Sequence, residues 1–483
     1  MSADIATGAL AQRGLLDAGA VLAAEELLAR VSKDGLETIR VLFVDQHGQL
    51  RGKTLVAAAL ASVFRSGMAV PSTLLLKDTS HRTVFPVWSP DAGIASGPMQ
   101  GANDILLVPD ATTFRRLPWS PHSAWLLARP VHRSGAAIPF SPDAVLRRAT
   151  GALAELGLEA CLGLEVEFHV FERLDAALEH ADTTMPARPP MTRALTQGYQ
   201  FLTETRYGAA EQMLDELRRM AQGLGLAVRS VEIEMGPSQF EFTFEPGPAA
   251  EQADGLVMFR TMVKEICAAR GLHASFMTKP RLDNIAANGW HIHQSVIETA
   301  TGRNLMMPEV HGSLPATASA WIAGLLDHAG ESALLTAPSV NSYKRYAPFQ
   351  LAPNRVQWGM DNRGAMVRAL LAVGDAASRV ENRAPDPMAT PHYAFAAQIL
   401  SGVSGLRRAA LAPPASENPY GGDAPLLPAN LGAAIAAFSA SRMYRDMLGD
   451  EVVDYLCRLK QAEWERYLSA ISEWEQAEYF GLF

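Results

Sequence analysis

At 483 residues the chain exceeds the length at which a single hydrophobic core usually stops growing, so two domains are expected. Its 48% hydrophobic and 19% charged residues exclude a disordered polymer, and a net charge of −9 argues against nucleic acid or an anionic membrane as partner. Cys161, Cys267 and Cys457 are odd in number and widely spread, which fits reduced thiols better than a disulfide framework. Met1 is not followed by a basic and apolar leader, and no apolar run approaches the length of a bilayer span. A cytoplasmic location is expected.

In chain order, residues 12–32 carry Leu15, Leu16, Val21, Leu22, Leu27, Leu28 and Val31 at helical spacing. Ile39, Val41, Phe43 and Leu50 flank a His-Gly turn and predict a β-hairpin over 38–55. A Pro- and Gly-dotted stretch ends in a strand over 103–110. The two prolines of LPWSPHSAW mark a linker zone, which places a domain boundary near residue 125: 1–125, then 126–483. Beyond it, Ser141 and Pro142 open a helix, and the strand CLGLEVEFHVF follows. The pattern continues with a helix over 209–224, strands over 228–244, a helix over 254–271 and two strands ending at WHIHQSV. Helices dominate after Thr390.

The strands hold the chemistry. Alternate strand residues share a face, so Glu165, Glu167 and His169 point one way. Gln239, Glu241 and Thr243 oppose Phe240, Phe242 and Phe244, with Glu234 just upstream. His291 and His293 sit two apart, and Glu381 lies between Arg379 and Arg383. A solvated strand face accounts for any one of these patterns. Their recurrence makes sense if the carboxylates converge on cations, since a buried carboxylate is costly unless paired or ligating metal. Carboxylates with one or two imidazoles and no cysteine cluster favour Mg²⁺ or Mn²⁺ over structural zinc. Arg345, Arg363, Arg368, Arg379 and Arg383 form a basic series suited to carboxylate and phosphate, although ordinary surface salt bridges are the plainer reading. GQLRGKT is one residue short of a P-loop and sits in a hairpin, so it is set aside, and no dinucleotide fingerprint follows a strand.

These segments resemble the glutamine synthetase family from about Ile39 to the last helices. The resemblance is carried by FVDQHGQLRGK, DILLVPD with LPW, GLEVEF, EMGPSQFE, SFMTKP, HIHQS, NSYKRYAP, WGMDNRGAMVR and SRVENRAPDP. It implies an α+β fold: an N-terminal β-grasp domain, then a catalytic domain whose curved antiparallel sheet, a partial barrel, is flanked by helices. It implies a homo-oligomeric ring, a dodecamer, with active sites between subunits. Two or more Mg²⁺ or Mn²⁺ ions and ATP are implied. Glu167, Glu234 and Glu241 would hold one metal, and Glu165, His291 and Glu381 the second. His293 and Ser295 would contact nucleotide, and Arg345 the glutamate α-carboxylate. Arg363 and Arg368 would stabilise the transferring phosphate, Arg379 would assist the nucleotide, and Arg383 would face the activated carboxylate.

Departures from the family pattern fall at one end of the site. Leu351, in NSYKRYAPFQLAPN, stands where glutamine synthetases carry the glutamate that binds ammonium, and the adjacent Gln350 cannot act as a base. Ala286-Ala287 replace an Asn-Gly pair, unless Asn288-Gly289 substitutes for it. Ala376 replaces a common lysine, and TPHY replaces NPY. The leading expectation is therefore ATP-dependent ligation of glutamate to an organic, apolar amine through γ-glutamyl phosphate. Glutamine synthetase proper, using ammonia, is the alternative. A non-catalytic family member ranks third because all six metal ligands are present. A metal-dependent hydrolase leaves the arginine series unexplained.

Overall fold

The structure, a computed structural model, describes residues 4–89, 93–95, 97–175, 177–347 and 351–483. The first helical stretch is divided. Helix α1 (Ala9–Gln12) ends before Gly14, whose φ of 66° leaves the helical region, and α2 (Ala18–Lys33) restarts with the Asp17 carboxylate accepting the Ala20 N–H.

Strands β1 (Thr38–Val44), β2 (Leu50–Val56), β3 (Met68–Pro71), β4 (Asp104–Pro109), β5 (Arg115–Arg116) and β6 (Ser123–Val131) form one mixed sheet, with α3 (Leu60–Ser66) between β2 and β3. Its order is β2-β1-β6-β4-β3, with β1 and β6 parallel and Thr38 opposite Ser123. Position 125 therefore falls inside a central strand. Pro118 and Pro121 mark the turn before it, and the sheet runs on to Val131.

The second sheet is built on the long strand β7 (Leu158–Arg173). Around it lie β8 (Thr192–Ala194), β9 (Val228–Ile233), β10 (Gln239–Phe244), β11 (Gly247–Pro248), β12 (Leu272–Ser275), β13 (Trp290–Glu298), β14 (Trp358–Met360), β15 (Val367–Leu370) and β16 (Arg379–Asn382). The main path is β14-β15-β16-β13-β7-β10-β9, and it is antiparallel except at β14–β15. Helix α4 (Pro142–Ala154) starts with Ser141 as its N-cap. It is followed by α5 (Glu204–Gly223), α6 (Ala249–Ala269), α7 (Ala316–Asp327), α8 (Ala329–Thr336) and α9 (Pro391–Arg407). The chain ends in α10 (Leu431–Ala440), α11 (Arg442–Leu448), α12 (Asp450–Leu468) and α13 (Glu473–Tyr479).

One face of the sheet is apolar by alternation. Phe242 and Phe244 meet Phe259 of α6 at ring-centroid distances of 5.0 and 5.1 Å, so the helix seals that face and the acidic residues take the other. The two sheets are joined by buried polar contacts: Arg260 donates to the Gly48 carbonyl, Thr390 to the Gln46 carbonyl and Tyr455 to the Leu75 carbonyl. Among the described residues no helix is long and apolar enough to cross a membrane.

Candidate active site

Cross-strand register assembles the site. On one side of β7, Glu167 lies opposite Glu241, which lies opposite Glu232 on β9. On the other side Glu165 lies opposite His291, and farther along, His293 faces Glu381, which faces Arg368. Like charges directly opposite each other destabilise a sheet. At about 4 Å and an effective dielectric near 20 the repulsion is about 4 kcal/mol per pair. Three glutamates in one row therefore call for a counter-charge.

Glu165 is the hub. Its Oε1 is 2.6 Å from His291 Nδ1 and its Oε2 is 2.9 Å from His293 Nε2. Burial alone would raise this carboxyl, but the two imidazoles hold it well below the usual range. Two donor sets lie within 4.8 Å: Glu165, Glu241 and His291, and Glu165, His293 and Glu381. Glu241 is 4% exposed, and its Oε1 has no partner among the described residues. Burial, and then Glu165, Glu167 and Glu234, push the Glu241 carboxyl well up. Burial and the Glu167 carboxylate likewise push Glu234 up to about 8. An orphaned buried oxygen among mutually repelling carboxylates, with two imidazoles alongside, fits hard divalent cations such as Mg²⁺ or Mn²⁺.

The sharing differs from the expected partition, because Glu165 belongs to both close sets. Glu167 is held by the Gly289 N–H at 2.8 Å and the Gln239 amide at 3.0 Å, with its other oxygen 4.0 Å from His291. Glu234 accepts the Met235 N–H at 3.1 Å. His169 shares the strand but not the cluster. It is fully buried and stacks on Phe171 with centroids 5.5 Å apart, and neither ring nitrogen has a partner among the described residues. Burial pushes it down to about 3.

The arginines separate into distinct settings. Arg383 pairs with Glu381, and Arg368 reaches the same carboxylate at 3.2 Å while gripping Asp361. These contacts keep Glu381 ionised: burial would raise it, but Arg383 and the two histidines pull it down. Arg379 donates to His293 Nδ1 at 3.0 Å. Arg345 is buried and donates to the carbonyls of Arg383, Ala384 and Pro385 at 3.0 to 3.2 Å, so much of its donor capacity holds the segment that carries Arg383. Arg363 is exposed on the turn before β15. The Ser295 hydroxyl donates to the Ser378 carbonyl at 3.0 Å.

Leu351 is half exposed, with φ of 52°, beside the Ala347–Ala352 bridge. Its neighbour Gln350 lies outside the described residues. A loop running along Glu234 and Met235 adds apolar surface: Tyr199 N–H bonds the Met235 carbonyl, Leu202 N–H bonds Ile233, and the Tyr199 hydroxyl reaches the Asn284 carbonyl. Tyr199, Phe201, Leu202, Met235 and Leu282 are all exposed there.

Gln239 and Asp361 were given no role from sequence, whereas Asn288-Gly289 was named there as the alternative to Ala286-Ala287. Gln239 bridges Glu167, Ala287 and Asn288, and Asp361 clamps Arg368. A Cβ on Gly289 would lie 2.7 Å from Arg345, 2.9 Å from His291 and 3.1 Å from Glu167, so any side chain there displaces at least one of them. It is Asn288-Gly289 that lies against Glu167, whereas Ala286 packs on Gly236. An Asn-Gly pair just before a strand of ligands was the signal available.

Residues 139–479 match the glutamine synthetase catalytic domain, and the chain belongs to that family. Within it the chain is an enzyme of the ligase class. A γ-glutamylanilide synthase from Acinetobacter sp. is 34% identical over 95% of this chain and 96% of its own length. A γ-glutamylethanolamide synthetase from Streptomyces coelicolor is 32% identical over 94% and 95%. A glutamine synthetase from Pyrococcus abyssi is 29% identical over 92% and 96%. The solved GmaS/ADP complex superimposes with a TM-score of 0.79 at 27% identity, covering 94% of this chain and 99% of that one.

Proposed function

We propose that the protein joins the γ-carboxylate of glutamate to an organic amine with an apolar body, using ATP and releasing ADP and phosphate. A carboxylate oxygen of glutamate attacks the terminal phosphorus of ATP, and ADP leaves. The amine nitrogen then attacks the carbonyl carbon of γ-glutamyl phosphate, phosphate leaves, and the nitrogen gives up a proton. Divalent cations, when bound, offset charge on the phosphates.

In this reading Glu165, Glu167, Glu234, Glu241, His291 and Glu381 hold the cations. His293, Ser295 and Arg379 orient nucleotide. Arg363 and Arg368 neutralise the moving phosphoryl, and Arg383 faces the activated carboxylate. Arg345 binds glutamate, directly or through the 383–385 carbonyls that it holds. The amine class rests on Leu351, an alkyl side chain where a carboxylate would be needed to bind ammonium. The exposed Tyr199, Phe201, Met235 and Leu282 beside Glu234 support it, as does the 34% likeness to an enzyme named for an anilide.

The division into an N-terminal β-grasp domain and a catalytic domain, a cytoplasmic location and a ring of subunits, a dodecamer, belong to the same proposal. Exposed Ile471, Trp474, Phe480 and Phe483 near the C-terminus support subunit contacts. The test is phosphate release from ATP with glutamate and Mg²⁺ or Mn²⁺, comparing ammonium with methylamine, isopropylamine, ethanolamine, putrescine and aniline. Turnover with an apolar amine at concentrations where ammonium gives none supports the proposal. Ammonium as best acceptor makes the chain a glutamine synthetase.

A further inference from the structure

Away from the acidic cluster, a cleft of about 470 Å³ opens between the β1–β2 turn, α6, β12 and α12. Apart from Tyr393, the ionisable side chains that line it are all basic: His47, Arg51, Arg260, Lys264, His273 and Lys460. Among the described residues no Asp or Glu lines it, although the chain as a whole carries a net charge of −9.

Two of these cations are neutralised from outside the cleft. Arg51 pairs with Asp45, which also accepts the His47 and Gln49 N–H groups, and Lys460 pairs with Glu463 at 3.1 Å. Arg260 and Lys264 are not neutralised in this way. They lie one turn apart on the same face of α6. Arg260 is 4% exposed; it donates to the carbonyls of Gly48, Pro387 and Ala389 at 2.8 to 2.9 Å, and its Nε has no partner among the described residues. The carboxylates whose charge acts on Arg260 are Asp45, which pairs with Arg51, and Asp386, which caps the Met388 N–H. Lys264 is reachable from solvent, with its Nζ 5.9 Å from the Phe276 ring centre, and no carboxylate lies within ion-pair distance among the described residues.

Beside uncharged polar groups such as Gln49, Ser339 and Thr390, the cleft has apolar walls formed by Phe276, Leu335, Leu456 and Leu459. Carbonyl contacts satisfy hydrogen bonding but leave two like charges side by side, which an anion would neutralise. The volume falls within the several hundred cubic ångströms typical of small-molecule sites.

We propose that this cleft is a binding site for a carboxylate with an aromatic or branched-alkyl body, its carboxylate on Lys264 and Arg260 and its body against Phe276 and the leucines. Arg260 ties the cleft to the Asp386–Thr390 segment that follows Glu381 and Arg383, so an occupant is placed to influence the ligase from outside its reacting groups.

The test is calorimetric titration of the full chain with phenylacetate, alongside acetate (charge without body) and 2-phenylethanol (body without charge), using wild type and Lys264→Met. Saturable phenylacetate binding is expected, with both controls and the variant weaker by about tenfold or more, the scale of one lost charge-assisted contact. Saturating glutamate should leave that binding unchanged, and Lys264→Met should keep its activity without added acid. Equal affinity in Lys264→Met, displacement by glutamate, or no saturable binding would overturn the assignment. None of these readouts depends on which amine the enzyme uses.

Discussion

Replacing Glu234 by glutamine removes an ionisable group beside the acidic row, and the stability that the variant gains over wild type should shrink toward zero when metal is added. In metal-free protein, burial and then Glu167 raise the Glu234 carboxyl to about 8 from its usual 4.5. The folded protein keeps a proton that the unfolded chain has already lost, so stability falls as pH rises between those values, by about 1.4 kcal/mol per unit. At pH 7 the accumulated cost is about 3 kcal/mol; at and below pH 4.5 it is absent. Metal-free Glu234→Gln should therefore be more stable than wild type by about 3 kcal/mol at pH 7, with the gain vanishing near pH 4.5. Cation bound at a hundredfold excess over Kd adds about 2.7 kcal/mol, and wild type should gain much more of this than the variant. Urea unfolding followed by circular dichroism, in EDTA and in saturating MnCl₂, reads both terms. A variant less stable than wild type in EDTA at pH 7, or equal stabilisation of both proteins by Mn²⁺, would refute the cation-site reasoning.

Leu351→Glu should shift acceptor preference toward ammonium by about tenfold or more, one charged contact's worth, measured as the ratio of kcat/KM values for ammonium and the best apolar amine. An unchanged ratio would remove Leu351 from amine selection. Gly289→Ala must move Arg345, His291 or Glu167, and displacement of that size costs about a hundredfold in rate; wild-type kinetics from a folded variant would show that the cradle is looser than drawn. His169 is buried neutral with its value near 3, so below the free value of 6.5 the unfolded chain takes up a proton that the folded chain does not, and stability drops with pH. His169→Phe should remove about 2 kcal/mol of the loss between pH 6.5 and 5, and parallel pH profiles for the two proteins would contradict this.

The strands were legible because alternation is local: Phe240, Phe242 and Phe244 against Gln239, Glu241 and Thr243 specify both a strand and its two faces. Which strands meet was not legible, because β7 pairs with partners far along the chain on either side. Only that register shows Glu165 shared between His291 and His293. Alternation also grouped His169 with the glutamates, but its position farther along β7 seals it beside Phe171. Gln239 acts through a side-chain amide, which leaves little mark in residue type, whereas the Asn288-Gly289 pair was visible as a shifted substitute. The prolines at 118 and 121 suggested a linker because proline breaks strands; here they turn the chain immediately before a central one.

The parallel pairing of β1 with β6 also governs the order of assembly on the ribosome. The hairpin of β1 and β2 emerges early, yet the neighbour that covers the other edge of β1 is not synthesised until Val131. Until then Ile39, Val41 and Phe43 sit in a two-stranded ribbon too small to hold itself together, and the nascent chain depends on remaining unpaired or on transient protection. A fragment begun at residue 126 would carry the orphaned half of that strand, Leu126 to Val131, as an apolar edge without partners. One begun at residue 139, where the family match starts, would not.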